Sequence, residues 1–161
     1  MAIQLGDTEI AHLLAERKAL PADYRERMQT RPKRGHKERE LDVMGAERSE
    51  FHLILRQSLF NLFDFSVILA YRPPNTNQLF RLRRYNGKSH EHTNVLEGQT
   101  FYDFHVHTAT ERYQESGLRE DAFAEPTDHF ADFHEAIRCL LTECGFDIPP
   151  DPQGKLFKED F

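Results

Sequence analysis

Two pairs of histidines stand out for their spacing: His90-Glu-His92 and His105-Val-His107. Residues two apart in an extended chain share a face, so each pair sets two imidazoles on one side of a strand. Neutral imidazole is a common ligand for transition metals. Four rings converging on one point could hold a divalent transition metal. Asp103 is placed to ligate as well, or to orient a ligand by hydrogen bonding. His105, His107 and Asp103 are also the residue types that move protons near neutral pH, and they form the candidate catalytic set. One His-x-His arises often by chance, so the weight lies in its repetition.

Arg81 and Arg83 lie just upstream, and guanidinium forks match phosphate oxygens. Between them and the first histidine pair stands Asn86-Gly87, the strongest short-range hairpin signal. Read as a two-residue loop, it sets Tyr85 opposite Lys88, Arg83 opposite His90 and Arg81 opposite His92, all on one face. Phe80 and Leu82 then point to a core, but so does Glu91. A neighbouring strand would add Asp103, His105 and His107 to the polar face. Phe101 and Tyr85 could stack bases there. Arg112 and Tyr113 follow that strand, where they can clamp and orient an anion.

Three functions fit this pattern. The leading one is binding, alone or with processing, of a phosphate-bearing ligand such as RNA or single-stranded DNA through Arg81, Arg83, His90, His92, Arg112 and Tyr113. The alternative is a metal-dependent hydrolase with His90, His92, His105 and His107 as ligands, although adjacent arginines disfavour a cation. The third is a non-enzymatic domain whose polar residues are the solvated face of a half-covered sheet. In that case an acidic C-terminal helix could contact a basic protein partner. Whether the protein is an enzyme stays open at this level.

The elements that must position these residues follow from periodicity. Residues 7–18 read as a helix capped by Asp7, with Ile10, Leu13 and Leu14 on one side. Pro21 opens a second short helix to Met28. Residues 29–40 are polar and basic and read as a linker. Apolar alternation marks strands at 51–55 and 63–71, the second stopped by Pro73-Pro74. Further strands are expected at 79–85, 88–93 and 101–108. Thr127 is the expected N-cap of a long helix with a stripe of Phe130, Phe133, Ile137, Leu140, Leu141 and Cys144, closed by Gly145. The fold class is therefore α+β: an antiparallel sheet of about five strands, a long C-terminal helix packed on one face, and short N-terminal helices. Residues 1–48 form an N-terminal helical segment and basic linker, 49–146 the sheet and helix, and 147–161 a Pro-rich tail.

Composition narrows the setting. The chain has 161 residues and a net charge of −6, enough for one domain with a core. Residues 93–161 carry five Lys/Arg against fifteen Asp/Glu, whereas residues 49–92 carry six against three. Such acidity argues against broad coating of DNA, while the basic run at 31–39 could still meet an anion. Cys139 and Cys144 lie five apart, a poor spacing for a disulfide within a helix, which suits a reducing cytoplasm. There is no apolar run long enough to span a membrane and no secretory leader pattern.

The stretches Phe80-Arg-Leu-Arg-Arg-Tyr-Asn-Gly-Lys-Ser-His-Glu-His-Thr-Asn94 and Phe101-Tyr-Asp-Phe-His-Val-His-Thr-Ala-Thr-Glu-Arg-Tyr113 resemble a group of small prokaryotic proteins without an assigned activity. The resemblance covers residues 50–145. It implies a prokaryotic cytoplasmic protein and carries over no ligand or catalytic residue.

Overall fold

A computed structural model describes residues 3–150. In chain order its elements are α1 (Asp7–Ala15), β1 (Lys18–Ala19), α2 (Tyr24–Arg27), β2 (Arg31–Lys33), β3 (His36–Met44), β4 (Glu50–Ser58), β5 (Phe65–Arg72), β6 (Phe80–Asn86), β7 (His92–Asn94), β8 (Gln99–Phe101), β9 (His105–Thr108), α3 (Glu111–Glu115), β10 (Ala124–Pro126), α4 (Phe133–Glu143) and β11 (Phe146–Asp147). Seven strands form one antiparallel sheet in the order β10-β9-β6-β5-β4-β3-β2. Strands β7 and β8 make a separate hairpin, and β1 pairs in parallel with β11. The fold is thus α+β with the C-terminal helix against the sheet, as the periodicity predicts. No helix of the described residues is long and apolar enough to cross a membrane.

Period-two burial builds the core. Phe51, Leu53 and Leu55 of β4 and Phe65, Val67 and Leu69 of β5 all point to one face. There they meet Phe133, Ile137, Leu140 and Leu141 of α4, together with Phe130. Burying each such side chain is worth about 2 kcal/mol. Asp132, not Thr127, caps α4: its Oδ1 accepts from the Glu135 amide at 2.8 Å. Thr127 instead holds a preceding turn through the His129 amide. At α1 the cap position is Gly6, and Asp7 lies in the first turn. Cys139 and Cys144 are both free.

Residues 31–44, expected as a linker up to residue 40, are the strands β2 and β3. Their charges hid the pattern. On the face away from α4, His36 and Lys33 bind Glu38, and His52 of β4 bonds both Glu40 and Asp42. On the helix side, Lys37 lays its stem inward with its ammonium 5.8 Å from the Phe133 ring. A strand made of cross-strand ion pairs carries little apolar alternation. The Pro-rich tail beyond residue 150 lies outside the described residues.

The Asn86-Gly87 hairpin does not form. Strand β6 pairs with β5 and β9, and residues 88–91 lead irregularly into β7. Gly87 serves a close approach instead of a turn. Its amide donates to the Phe65 carbonyl at 2.9 Å, and a Cβ there would stand 1.9 Å from the Phe63 carbonyl oxygen. The register of β6 also slips: Leu69 faces Arg83 while the next residue, Ala70, faces Arg81. Leu82 is the extra residue of a β-bulge, which shifts the parity of the strand. Arg83 and Tyr85 consequently share the helix face with Leu69 and Val67. Arg84 joins the open face.

Candidate metal centre

Strand β9 supplies the centre of the site. His105 and His107 alternate with Val106 and point to the open face, opposite Asn86 and Arg84 of β6. They are nonetheless buried, because the β7–β8 hairpin covers them. His92 on β7 lies with its ring centroid 5.4 Å from that of His105 and 4.8 Å from that of His107. The His105 and His107 centroids are 4.9 Å apart. Phe101 of β8 closes the side, edge-on to His105 at 5.6 Å.

Each imidazole is held by one nitrogen. His105 Nδ1 donates to the Asp103 carbonyl and His107 Nδ1 to the Asp121 carbonyl, both at 2.7 Å. These bonds fix both rings in the tautomer whose Nε2 carries the lone pair. His92 Nε2 bonds Asn94 Oδ1 at 2.8 Å. Asn94 cannot flip, since its Oδ1 accepts from the Ala124 amide at 2.9 Å and its Nδ2 donates to the Ala124 carbonyl at 2.7 Å. His92 Nε2 is therefore the donor, and its Nδ1 holds the lone pair. One ligand atom from each of the three rings lies within 4.8 Å of the others. Tetrahedral zinc with Zn–N near 2.0–2.1 Å sets its nitrogens about 3.3 Å apart, so the three rings would draw closer together on binding an ion. His105 Nε2 is buried and has no hydrogen-bond partner among the described residues.

Burial is the main cause that pushes His105 down to about 4 and His107 to about 2, with Arg84 and the neighbouring rings adding to it. At neutral pH both rings are neutral, as metal ligation requires. The Arg84 charge is answered by buried Asp121, at 3.1 Å from its Nε, and Arg119 stands 3.6 Å from the same carboxylate. The low values also set a pH dependence. Below about pH 6.5 the unfolded chain takes up protons on these histidines while the folded chain does not. Stability should fall as pH drops from 6.5 to about 4. Urea titrations should show the midpoint falling in that window, and less steeply in His107→Gln. An equal slope in the variant would remove this group from the acid response.

The other expected site residues lie elsewhere. His90 is exposed and bonds Ser89, outside the cluster. The Asp103 side chain is exposed; only its backbone carbonyl serves the site. Arg81 faces Glu120 at 3.8 Å. Arg83 lies on the helix side, bonding Tyr85 and Thr108 and facing Glu143 at 3.8 Å. Arg112 pairs with Glu97 and lies 4.9 Å over the Phe123 ring. Tyr113 donates to Glu97 at 2.6 Å and accepts from the Leu96 amide. Arg112 and Tyr113 thus pin the loop of the β7–β8 hairpin that carries His92. Sequence reasoning missed Asn94, Arg84 and Asp121. Asn94 reads as turn material, and Asp121 lies in an aperiodic stretch, so neither gave a signal. No family model, curated protein or solved structure matches this chain.

Proposed function

We propose that His92, His105 and His107 hold a divalent transition metal and that the domain is a metal-dependent hydrolase. The observation that carries this is the buried, unpartnered Nε2 of His105, turned to a centre it shares with two further imidazoles. A buried polar nitrogen without a partner costs about 1–3 kcal/mol, which a bound ion would offset. Three protein ligands with a fourth position for water are the arrangement of catalytic centres, whereas structural centres use four. The ion would supply Lewis acidity and a water deprotonated near neutral pH. The chain's own residues bind and orient: the Asp103 and Asp121 carbonyls and Asn94 aim the rings, and Phe101 walls off solvent.

A phosphate-backbone interface has less support. Arg81, Arg83, Arg84 and Arg112 each face a carboxylate, and the bulge divides the three on β6 between two sides of the sheet. The free cysteines fit a reducing compartment.

Metal analysis tests the reading. Protein purified, stripped with chelator and reloaded with zinc or cobalt should hold one equivalent, and His105→Ala/His107→Ala should hold none. Cobalt should give the visible absorption of a tetrahedral nitrogen site. Substoichiometric metal in both native and reloaded protein rejects the centre. A loaded protein inactive on activated carboxylic and phosphoric esters rejects the hydrolase and leaves a metal-binding domain.

A further inference from the structure

The basic run at 31–39 finds a place on the same open face. Its Arg34 and Gly35 form the turn between β2 and β3, with Gly35 at φ +75°. That turn borders a cleft of about 370 Å³, lined chiefly by Arg34, His36, Arg56, Ser58, Asp64 and Ser66. The size suits a small ligand. Arg34 and Arg56 are exposed, and neither guanidinium has a hydrogen-bonding or ion-pair partner among the described residues. They contrast with Arg81, Arg83, Arg84 and Arg112, all paired. Glu38, which lies across from Arg56 in the β3–β4 register, is already engaged by Lys33 and His36. Ser58 Oγ accepts from the Phe60 and Asn61 amides, so its own proton is left to donate. Ser66 adds a second hydroxyl. Asp64 is the single carboxylate in the lining and can accept from a ligand hydroxyl.

We propose that this cleft binds the phosphate of a small hydroxylated phosphomonoester, with Arg34 and Arg56 as the phosphate-holding pair. Two unpaired guanidiniums with two hydroxyls match the oxygens of a phosphate dianion. The site is separate from the histidine centre but aligned with it. Arg56, Ser66, Asn86 and His105 are successive register partners on β4, β5, β6 and β9. At about 4.8 Å per strand, Ser66 lies about 10 Å from His105. Beside the cleft, Phe60 is 87% exposed, and Leu59, Leu62 and Phe63 of the same loop are exposed too. Phe60 borders Gly35. The phosphomonoester could therefore be free in solution or the headgroup of a lipid whose chains meet this loop.

The test uses the full chain treated with chelator, so its failure leaves the metal reading untouched. Glycerol 3-phosphate is titrated at low salt by amide NMR. In parallel, phosphatidylcholine vesicles with and without phosphatidic acid are sedimented with the protein. Binding of the soluble ester should shift the amides of Gly35, Ser58 and Ser66. Arg34→Ala/Arg56→Ala should weaken it about tenfold or more. Binding to phosphatidic acid vesicles alone, lost in the same variant, supports the cleft and assigns it to a headgroup. Both arginines are exposed, and an unchanged spectrum outside the cleft verifies the variant's fold; Arg56→Lys should keep part of the affinity. Binding to neither probe, or equal binding by the double variant, overturns the proposal.

Discussion

Replacing Lys18 with methionine should lower the unfolding free energy by about 3–5 kcal/mol. Lys18 is fully buried, with its Nζ 2.9 Å from the Leu13 carbonyl, 3.2 Å from Leu14, 2.7 Å from Glu16 and 2.7 Å from Cys144. These carbonyls close the C-terminal ends of α1 and α4, where no further helical amide can reach them. One ammonium therefore ties the first helix to the last, at the dipole ends that favour a cation. The Phe51 ring lies 4.4 Å beneath it. Burial, the main influence, lowers Lys18 to about 8, so the group is still charged at pH 7. Methionine keeps the length of the stem and leaves the carbonyls without a donor. Arg17→Ala is the control, since Arg17 pairs with Asp147 in an exposed position, where solvent screening leaves an ion pair little effect on stability. Urea denaturation of both variants decides the matter: a Lys18→Met loss no larger than that of Arg17→Ala would show that the carbonyls find water instead.

Asn94→Ala should reduce both stability and metal affinity, and Asn94→Asp separates the two roles. Asn94 is fully buried and bonds the amide and the carbonyl of Ala124 as a neighbouring strand would. Alanine leaves both groups buried and unpaired, at a cost of about 1–3 kcal/mol each. It also frees the ring of His92, and losing such an orienting partner typically weakens metal binding about 10–100-fold. Aspartate keeps an acceptor for His92 and for the Ala124 amide but has no donor for the Ala124 carbonyl. It should recover most of the metal affinity while remaining destabilised. Zinc competition titrations and thermal melts of the apo proteins measure the two effects independently. Should Asn94→Ala bind zinc as tightly as the parent, His92 is not oriented by Asn94, or is not a ligand.

The parts of the molecule legible in sequence are those where one period dominates. Alternation from Phe65 to Leu69 and the stripe from Phe133 to Leu141 lead directly to a sheet with a helix across it. His105 and His107 are legible for the same reason, since a two-residue spacing on a strand fixes their shared face. The third histidine of the cluster was legible only as a residue type. His92 reaches the site on a hairpin of its own, paired to β8 and not to β6. The local preference of Asn86-Gly87 for a turn competes with a tertiary demand, namely the passage of Gly87 against Phe63, and the tertiary demand prevails. The bulge at Leu82 left no trace because Phe80 and Leu82 are buried in either register. Its effect falls on the residues after it, Arg83 to Asn86, which exchange sides.

An open seven-stranded sheet has two free margins, and each invites another chain to add a strand. At the β2 margin, Pro32 withholds an amide between Arg31 and Lys33, all exposed. At the β10 margin the outward amide and carbonyl of Ala124 are already taken by the side chain of Asn94. The residue that aims His92 thus also terminates the sheet. Losing it would expose a pairing-competent edge, so the cost of an Asn94 substitution would extend from the single molecule to its tendency to polymerise.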